Sequence, residues 1–471
     1  MKKVVSNIFY NSIYQLLLIA LPLVTIPYVA RILGVKSLGI NSYVMSIGVL
    51  LSFVILIGMN QLGVKTIAQA ERTKESLSLK FGNLWGIQLC IGILVIVIYI
   101  IVASMSNKKV YMYANIPYLI GFTLDISWYY IGLGSIKKVI LKNSVIKVLS
   151  VLLIFIFIRS TSDLTMYILI NSVTLCIANI VFWLSLRESL DLSIVARSLI
   201  SKKYVKQSLI LGIPQIAIQL YTSFDSTLVG IIAGAVQLTF YDQSQKIARS
   251  LLTLITSVST VIMPKMAELS NDDGKDAEFQ NIFKKSLDYT LIISLYLTVM
   301  LMINARDFVP WFFGREYTLM SNNMFWVSLI LIFIPYGGVF ANQYALSKGM
   351  YKEYSIPYIL GAFVSIPLNI ILVHFYKADG GTLTIILTEM LVCMARIFMV
   401  RKSIELKIIF KRHFKYLILF IFILIIGLRY RVSVDNLLFS MLVNSIIYSL
   451  LYILLVFMTM KFSRDFSRKD I

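Results

Sequence analysis

The sequence predicts an all-α, polytopic membrane protein with about fourteen transmembrane helices. Hydrophobic residues make up 58% of the 471 residues and charged residues only 14%, a balance that soluble globular proteins do not have. Apolar runs long enough to cross a hydrocarbon core of roughly 30 Å recur along the whole chain. The segments between these runs are too short for separate folded domains. Any function is therefore expected to lie within the membrane.

Hydropathy and periodicity place the spans in order along the chain. The run at 416–428 is short for a membrane crossing. Pro22 and Pro27 interrupt the first span and Pro214 the seventh. Interrupted helices at corresponding places in two halves point to the central site of a transporter, although proline kinks are common in membrane helices in general. The predicted spans are 8–30, 40–62, 81–104, 110–133, 139–158, 164–186, 207–232, 242–264, 286–303, 322–345, 355–375, 381–400, 416–428 and 437–459.

The basic residues predict the orientation of these spans. Of the 44 lysines and arginines, 31 lie on the side of the amino terminus, 10 lie on the opposite side and the remaining three lie within spans. Lys142 and Lys147 are counted in the loop before the fifth span. The positive-inside rule then places both termini in the cytoplasm. This distribution explains the net charge of +21 without nucleic acid as a partner, which would need a basic soluble module.

The seventh and eighth spans each carry one polar stripe, as expected of residues that share a helix face at 100° per residue. On the seventh span the stripe contains Gln215, Gln219, Thr222 and Ser226, with Asp225 at its edge. On the eighth it contains Asp242, Lys246, Arg249, Thr253 and Thr260. A charge that faces lipid costs about 2.5–3.5 kcal/mol on insertion scales, so three on one stripe predict an internal polar pathway. The alternative is that Asp242 and Lys246, spaced i to i+4, neutralise each other near an interface.

Three further spans contain candidate residues. Asp125 lies in the middle of the fourth span among tyrosines, and aromatic rings beside a carboxylate suit a sugar. Glu389 and Arg396 are seven residues apart in the twelfth span and share a face. Arg31 closes the first span, where its guanidinium suits a phosphate; the commoner role of such an arginine is to extend to the membrane interface.

The sequence contains no pattern typical of catalysis or of a metal site. His374 and His413 lie on different segments without metal-ligand spacing, and the three cysteines form no CxxC pair. A Walker A loop and a nucleophile elbow are also absent from the sequence. We therefore expect neither an enzyme, nor a metal, nor a cofactor.

Four stretches carry a family resemblance. They are YNSIYQLLLIALPLVTIPYVARILGVKSLGINSY at 10–43, DISWYYIGLGSIKKVILKNSVIKVL at 125–149, IPQIAIQLYTSFDSTLVG at 213–230 and YDQSQKIARSLLTLITSVSTVIMPKMA at 241–267. In this order they resemble the bacterial polysaccharide repeat-unit flippases of the multidrug/oligosaccharidyl-lipid/polysaccharide exporter superfamily.

The resemblance implies two six-helix bundles around a central cavity, plus two carboxyl-terminal helices. The implied bundles are 1–206, including a cytoplasmic linker, and 207–412, followed by two helices and a tail at 413–471. Alternating access would carry an undecaprenyl-diphosphate-linked oligosaccharide outward for capsule, O-antigen or exopolysaccharide. Membrane lipids, a polysaccharide polymerase and chain-length machinery are the other implied partners.

Related members are similar to this chain at Arg31, Asp125, Asp225 and Lys246. Many relatives have a lysine after the aspartate of the seventh span, whereas this chain has Ser226. A cation at that point is therefore not a general requirement.

The residues themselves suit a diphosphate-linked sugar. Lys246 and Arg249, with Arg31 and Arg396, would stabilise the diphosphate, while Asp125, Asp225, Gln215 and Gln219 would engage the sugars. Two other functions remain open. A multidrug or cation antiporter of the same superfamily would exchange ions through Asp125, Asp225 and Glu389, and a membrane-embedded glycan polymerase would need a sizeable outer loop that the sequence lacks.

Overall fold

The computed structural model describes residues 2–186, 189–198, 200–270, 273–404 and 406–467. It describes side chains from Ala20 to Lys461, except at 136, 138, 187–188, 199, 213–214, 217–218, 220–222, 258, 260–261, 264, 271–273, 405 and 407–408. Within these ranges the chain is helical, and no β-strand occurs. The all-α prediction is confirmed.

The chain forms two compact units that divide between Gly230 and Ile231. This division follows the seventh span. The predicted six-helix boundaries at residues 206 and 412 remain predictions. The helices of the first unit are α1 (Lys2–Leu56), α2 (Met59–Ala68), α3 (Lys74–Ser104), α4 (Lys109–Ala114), α5 (Ile116–Thr123), α6 (Ser127–Gly132), α7 (Ile136–Phe157), α8 (Leu164–Leu184), α9 (Leu192–Arg197) and α10 (Lys202–Ile232). Those of the second are α11 (Gly234–Leu269), α12 (Asp276–Phe312), α13 (Met320–Val327), α14 (Ile330–Gly338) with a π-helical continuation (Val339–Leu346), α15 (Tyr351–Val400), α16 (Leu406–Arg429) and α17 (Leu437–Ser467).

Two of the long helices are each divided by one residue with non-helical dihedral angles. Gly34 (φ 73°, ψ 173°) divides α1, in a region of positive φ that glycine adopts without steric cost. Lys377 (φ 52°, ψ −125°) divides α15. Among the described residues, eight helical stretches are long and apolar enough to cross a membrane, and Ala20–Ala68 and Tyr351–Ser403 each contain one of these divisions. Each of the two divisions separates two spans. When α4–α6 are taken as one span, and the stretch from α13 to Leu346 as another, the described helices are consistent with the fourteen predicted spans.

The thirteenth span is longer than its apolar run predicts. Helix α16 contains 24 residues, enough to extend about 36 Å at 1.5 Å per residue. Its first turns are basic, with Lys407, Lys411, Arg412 and Lys415. These residues shorten the apolar run to 416–428 without ending the helix, so hydropathy alone underestimates its length.

A buried polar network connects α16 to the core of the second unit, in which α12 packs against α16 and α17. His413 is 3% exposed. Its Nε2 lies 2.8 Å from Asp288 Oδ1 and its Nδ1 lies 2.7 Å from the Tyr336 hydroxyl. Arg412 Nη2 lies 2.5 Å from the other carboxylate oxygen of Asp288. Because an ionised carboxylate only accepts, Nε2 donates to Asp288, and the Tyr336 hydroxyl and Nδ1 share the second hydrogen bond.

Replacing His413 with leucine should destabilise the second unit. The change leaves the Tyr336 hydroxyl and one oxygen of Asp288 buried without their partner, at an expected cost of about 2–4 kcal/mol. The matched control is His374→Leu, because His374 is the other of the two histidines and its side chain is exposed. Thermal unfolding of the purified protein in detergent should show a lower midpoint for His413→Leu only. Equal midpoints for both variants would contradict a stabilising role of the network.

Candidate functional site

The fourth span is broken at Asp125. Helix α5 ends at Thr123 and α6 begins at Ser127, so the intervening residues are not helical. Asp125 Oδ1 accepts a hydrogen bond of 2.9 Å from the backbone N–H of Ser127. The carboxylate therefore satisfies a free N–H at the start of α6, as short polar side chains do at helix starts. The sequence predicts this aspartate as a candidate but does not predict the break.

Gln88 on α3 satisfies the carbonyls that the break leaves free. Its Nε2 donates to the backbone oxygens of Phe122, Thr123 and Asp125 at 2.9, 3.1 and 2.8 Å. Its Oε1 accepts from the indole N–H of Trp128 at 3.1 Å. Unpaired backbone groups are costly at membrane depth and irregular backbone is tolerated where protein groups satisfy it. The break is therefore held open by one fully buried glutamine.

Lys142 on α7 lies beside the break. Its Nζ donates to Asn179 Oδ1 at 2.9 Å and lies 3.7 Å from the centroid of the Phe182 ring. Asn179 in turn donates to the backbone oxygen of Gly121 at 2.8 Å. Lys142 is also close enough to Asp125 to interact with it electrostatically. The sequence-based prediction missed this lysine because it counted Lys142 in a cytoplasmic loop, although the residue falls inside the predicted span 139–158.

The polar stripe of the seventh span lies on α10. Gln215, Gln219 and Ser226 are partly accessible, and Gln219 Nε2 donates to the hydroxyl of Ser223. Asp225 is only 2% exposed, so its carboxylate lies in the interior and not at the edge of an accessible stripe. The side chains of Pro214 and Thr222 lie outside the described residues. Arg31, on α1 before the division at Gly34, is exposed.

The stripe of the eighth span lies on α11. Asp242 and Lys246 form the ion pair that their spacing predicts, with 2.7 Å between Nζ and Oδ2. The Lys246 side chain is nevertheless 44% exposed, whereas that of Asp242 is 15% exposed. Among the described residues, no carboxylate lies within 4.0 Å of the partly accessible Arg249. The stripe continues through the exposed Thr253, and the side chain of Thr260 lies outside the described residues.

The two candidates of the twelfth span are buried. Glu389 is 6% and Arg396 5% exposed, and no ion pair joins them in the described structure. The Arg396 guanidinium lies over the Tyr358 ring, 4.5 Å from its centroid, and its Nε has no hydrogen-bond partner among the described residues. A charged group this far from water is costly in a membrane protein and marks a candidate for function.

The candidates are distributed over both units. Arg31, Asp125, Gln215, Gln219 and Asp225 belong to the first unit, and Asp242, Lys246, Arg249, Glu389 and Arg396 to the second. The structure brings Asp125 close to Lys142 and places Asp242, Lys246 and Arg249 along one helix. The meeting of all ten residues in one site remains a prediction.

The ion pair on α11 permits a double-mutant test. We expect Asp242→Ala to reduce transport, because Lys246 then loses its neutralising partner. We expect Lys246→Ala to abolish transport, because the positive charge itself is then lost. The double substitution should not restore transport, since the cation itself is required. Export by cells that carry each variant, at matched membrane levels, checks this expectation. Restoration by the double substitution would make the pair structural.

The fold is similar to that of helical membrane transporters of known structure. Over 98% of this chain and 99% of the other, it is similar to a structure described as the lipid II flippase MurJ in an inward closed conformation, with a TM-score of 0.74 and 16% identity. An inward-facing multidrug resistance MATE family transporter of the MOP superfamily is similar over 81% of this chain and 94% of its own, with a TM-score of 0.62 and 13% identity.

The chain belongs to the family described as polysaccharide biosynthesis proteins, whose sequence profile matches residues 4–270. It is 24% identical to a putative O-antigen transporter of Escherichia coli (strain K12), over 84% of this chain and 96% of the relative. It is 21% identical to a putative O-antigen transporter of Shigella dysenteriae, over 79% of this chain and 94% of that relative. The resemblance predicted from the four sequence stretches is confirmed at the level of the family.

Proposed function

We propose that this protein is a flippase that moves undecaprenyl-diphosphate-linked oligosaccharide repeat units across the cytoplasmic membrane for surface polysaccharide synthesis. The observation that carries the proposal is the cationic stripe on α11. Lys246 and Arg249 lie on one helix face, Asp242 pairs with Lys246, and no carboxylate of the described residues lies within 4.0 Å of Arg249. The relatives that are named as O-antigen transporters support the same class of cargo.

The physical problem of such a cargo is its head group. A diphosphate carries about two negative charges, and moving it bare through hydrocarbon is prohibitively costly. A membrane-embedded stripe with an excess positive charge offsets that cost, and the accessible Lys246 side chain is placed to meet an anion. The lipid tail can remain in the bilayer throughout.

The sugars need hydrogen-bond partners along the same path. Gln215 and Gln219 are partly accessible and offer both donors and acceptors to hydroxyl groups. Asp125 in the broken fourth span and the buried Asp225 supply acceptors. We assign Arg31 and Arg396 to the diphosphate, because a planar guanidinium binds phosphate through two parallel hydrogen bonds.

Directional movement requires that the site differ between two states, since equal affinity in both favours no movement. We propose alternating access, in which rearrangement weakens the cation–diphosphate contact on the outer side. The transport is proposed to need no catalytic step, in agreement with relatives named as transporters. A polysaccharide polymerase and chain-length machinery would receive the exported unit.

A second candidate function is ion-coupled export of small molecules. Two observations favour it: Asp225 and Glu389 are carboxylates with exposures of 2% and 6% inside spans, and the fold resembles that of a multidrug transporter. Resistance to several unrelated drugs on overexpression would support this function. We favour the flippase because the family profile and both relatives concern polysaccharide.

The proposal is tested by depleting the protein in its own host. Lipid-linked repeat units should accumulate in the membrane, protected from an impermeant sugar-modifying reagent added outside, and surface polysaccharide should disappear. Re-expression of the wild-type protein should reverse both effects. Loss of surface polysaccharide with repeat units exposed outside would assign the protein to a later step and contradict the proposal.

The proposed orientation, with both termini in the cytoplasm, has its own test. Cysteines introduced at Lys109 or Ser160 should react with an impermeant thiol reagent added to intact cells, whereas cysteines at Lys74 or Lys203 should not. All four side chains are exposed, so accessibility differs only by membrane side. The three native cysteines are replaced by alanine beforehand. Labelling of Lys74→Cys or Lys203→Cys in intact cells would reverse the orientation.

A further inference from the structure

A cationic cavity of about 560 Å³ lies in the second unit, where the carboxyl-terminal end of α16 meets α12 and α13. Three arginines line it: Arg306 from α12, and Arg429 and Arg431 from the end of α16 and the residues that follow. Helices α16 and α17 follow each other in the chain, and the cavity lies near the connection between them. The start of α16 and the end of α17 therefore lie on the other side of the membrane, which is the side of the carboxyl terminus. In the proposed orientation the cavity faces the outer leaflet.

Two of the three arginines carry charge that no acid neutralises. Arg431 Nη2 lies 3.4 Å from Asp307 Oδ1. Among the described residues, no carboxylate lies within 4.0 Å of Arg306 or Arg429, both of which are exposed. Asp379, next to the cavity-lining Asn322, accepts hydrogen bonds from Asn322 and Asn323. The cavity therefore has an excess of positive charge.

Further groups in the cavity favour an anion. Ser321 lines it, and its buried hydroxyl has no hydrogen-bond partner among the described residues. Ser321 and Asn322 lie in the first turn of α13, which begins at Met320 and contains eight residues. The N–H of Ser321 is paired with the backbone oxygen of Thr318, so the helix start contributes its dipole, which attracts negative charge. The cations, the free hydroxyl and the helix start converge on one volume.

The apolar surroundings of the cavity indicate the rest of the ligand. Trp326 and Leu428 line its rim and are 47% and 49% exposed. Along α16, Ile425 and Phe422 continue this apolar surface one and two turns below Arg429 and are also exposed. Tryptophan at the edge of an apolar band is typical of the membrane interface. An amphipathic molecule with an anionic head and a hydrocarbon tail fits both parts.

We propose that this cavity binds the phosphate head group of a membrane lipid, with the hydrocarbon chain along the exposed face of α16. The site is separate from the stripe on α11 and does not depend on the proposed function. Two lipids have the required chemistry: an anionic phospholipid and a polyprenyl diphosphate. The neutral phospholipid phosphatidylcholine should bind weakly, because its choline offsets the phosphate charge.

The experiment is native mass spectrometry of the full chain in detergent. The protein is titrated separately with dioleoylphosphatidylglycerol, undecaprenyl diphosphate and dioleoylphosphatidylcholine. We expect at least one of the two anionic lipids to bind in preference to phosphatidylcholine, and the lipid that binds identifies the source of the phosphate. Equal binding of all three lipids by the wild-type protein would overturn the proposal.

Variants localise the binding. Arg306→Gln with Arg429→Gln should weaken binding of the anionic lipid by about tenfold or more, given the contribution of each basic residue near a membrane surface. The matched control is Arg159→Gln with Arg315→Gln, two exposed arginines that do not line the cavity, the first in a loop and the second in a short 3-10 helix. Unchanged binding in the first variant, or an equal loss in both, would overturn the proposal.

Arg306→Lys with Arg429→Lys serves as a second variant that keeps the charge, and it should retain more binding than the glutamine pair. Equal binding by the lysine and glutamine pairs would also overturn the proposal.

Discussion

Replacing Lys246 and Arg249 together with glutamine should abolish polysaccharide export while leaving the protein in the membrane at a near-normal level. Glutamine keeps the length and polarity of the stripe and removes both positive charges. Hydrogen bonds to charged groups contribute roughly 1.5–3 kcal/mol each, so losing two charge-assisted contacts lowers diphosphate affinity by about a hundredfold or more. Asp242 would then lack its cation as well, which leaves the stripe net negative.

The matched control for this variant is Lys265→Gln with Arg401→Gln. Both side chains are exposed, so the net charge of the protein changes equally while the stripe stays intact. Export should remain near the wild-type level in the control. Unchanged export by a stably inserted Lys246→Gln, Arg249→Gln variant would contradict the diphosphate role of the stripe, though not membership of the family.

Replacing Gln88 with leucine should have the largest effect on stability. The substitution leaves the backbone carbonyls of Thr123 and Asp125 and the indole N–H of Trp128 without the partner that Gln88 supplies, whereas the Phe122 carbonyl still accepts from the N–H of Asp125. Buried groups without partners cost about 1–3 kcal/mol each, so we expect the free energy of unfolding to fall by roughly 3–6 kcal/mol. Leucine is similar in volume, which limits any contribution from packing.

Gln61→Leu is the matched control, because Gln61 is an exposed glutamine of the neighbouring helix α2. The thermal midpoint in detergent should drop for Gln88→Leu and remain unchanged for Gln61→Leu. A Gln88→Leu protein as stable as the wild type would mean that the break closes into a regular helix. Transport would then show whether the irregular shape around Asp125 is needed.

Hydropathy and charge placement predict the fold class and the order of the spans, because each span must satisfy its own backbone hydrogen bonds within the membrane. Tertiary contacts are less accessible to such reasoning. The break at Asp125 depends on Gln88, which precedes it by 37 positions and belongs to another span. The sequence around Asp125 gives no local sign of that contact.

The candidate site shows the same limit. Helical periodicity predicts the Asp242–Lys246 pair, since both residues belong to one helix. It does not predict how deeply Asp225 is buried, because burial depends on the helices that pack around it. It also misses Lys142, whose environment is formed by Asn179 and Phe182 on another helix. Residues whose roles arise from one helix are predictable, and those whose roles arise between helices require the structure.

Direct measurement of lipid translocation is the sharpest test of the flippase function. The purified protein is reconstituted into liposomes that contain a polyprenyl-diphosphate oligosaccharide with a fluorescent label on its sugar, and an impermeant quencher is added outside. Wild-type protein should make nearly the whole labelled pool accessible, whereas protein-free liposomes and the Lys246→Gln, Arg249→Gln variant should keep the inner-leaflet half protected. Protection of that half by wild-type protein would contradict the function proposed for this chain.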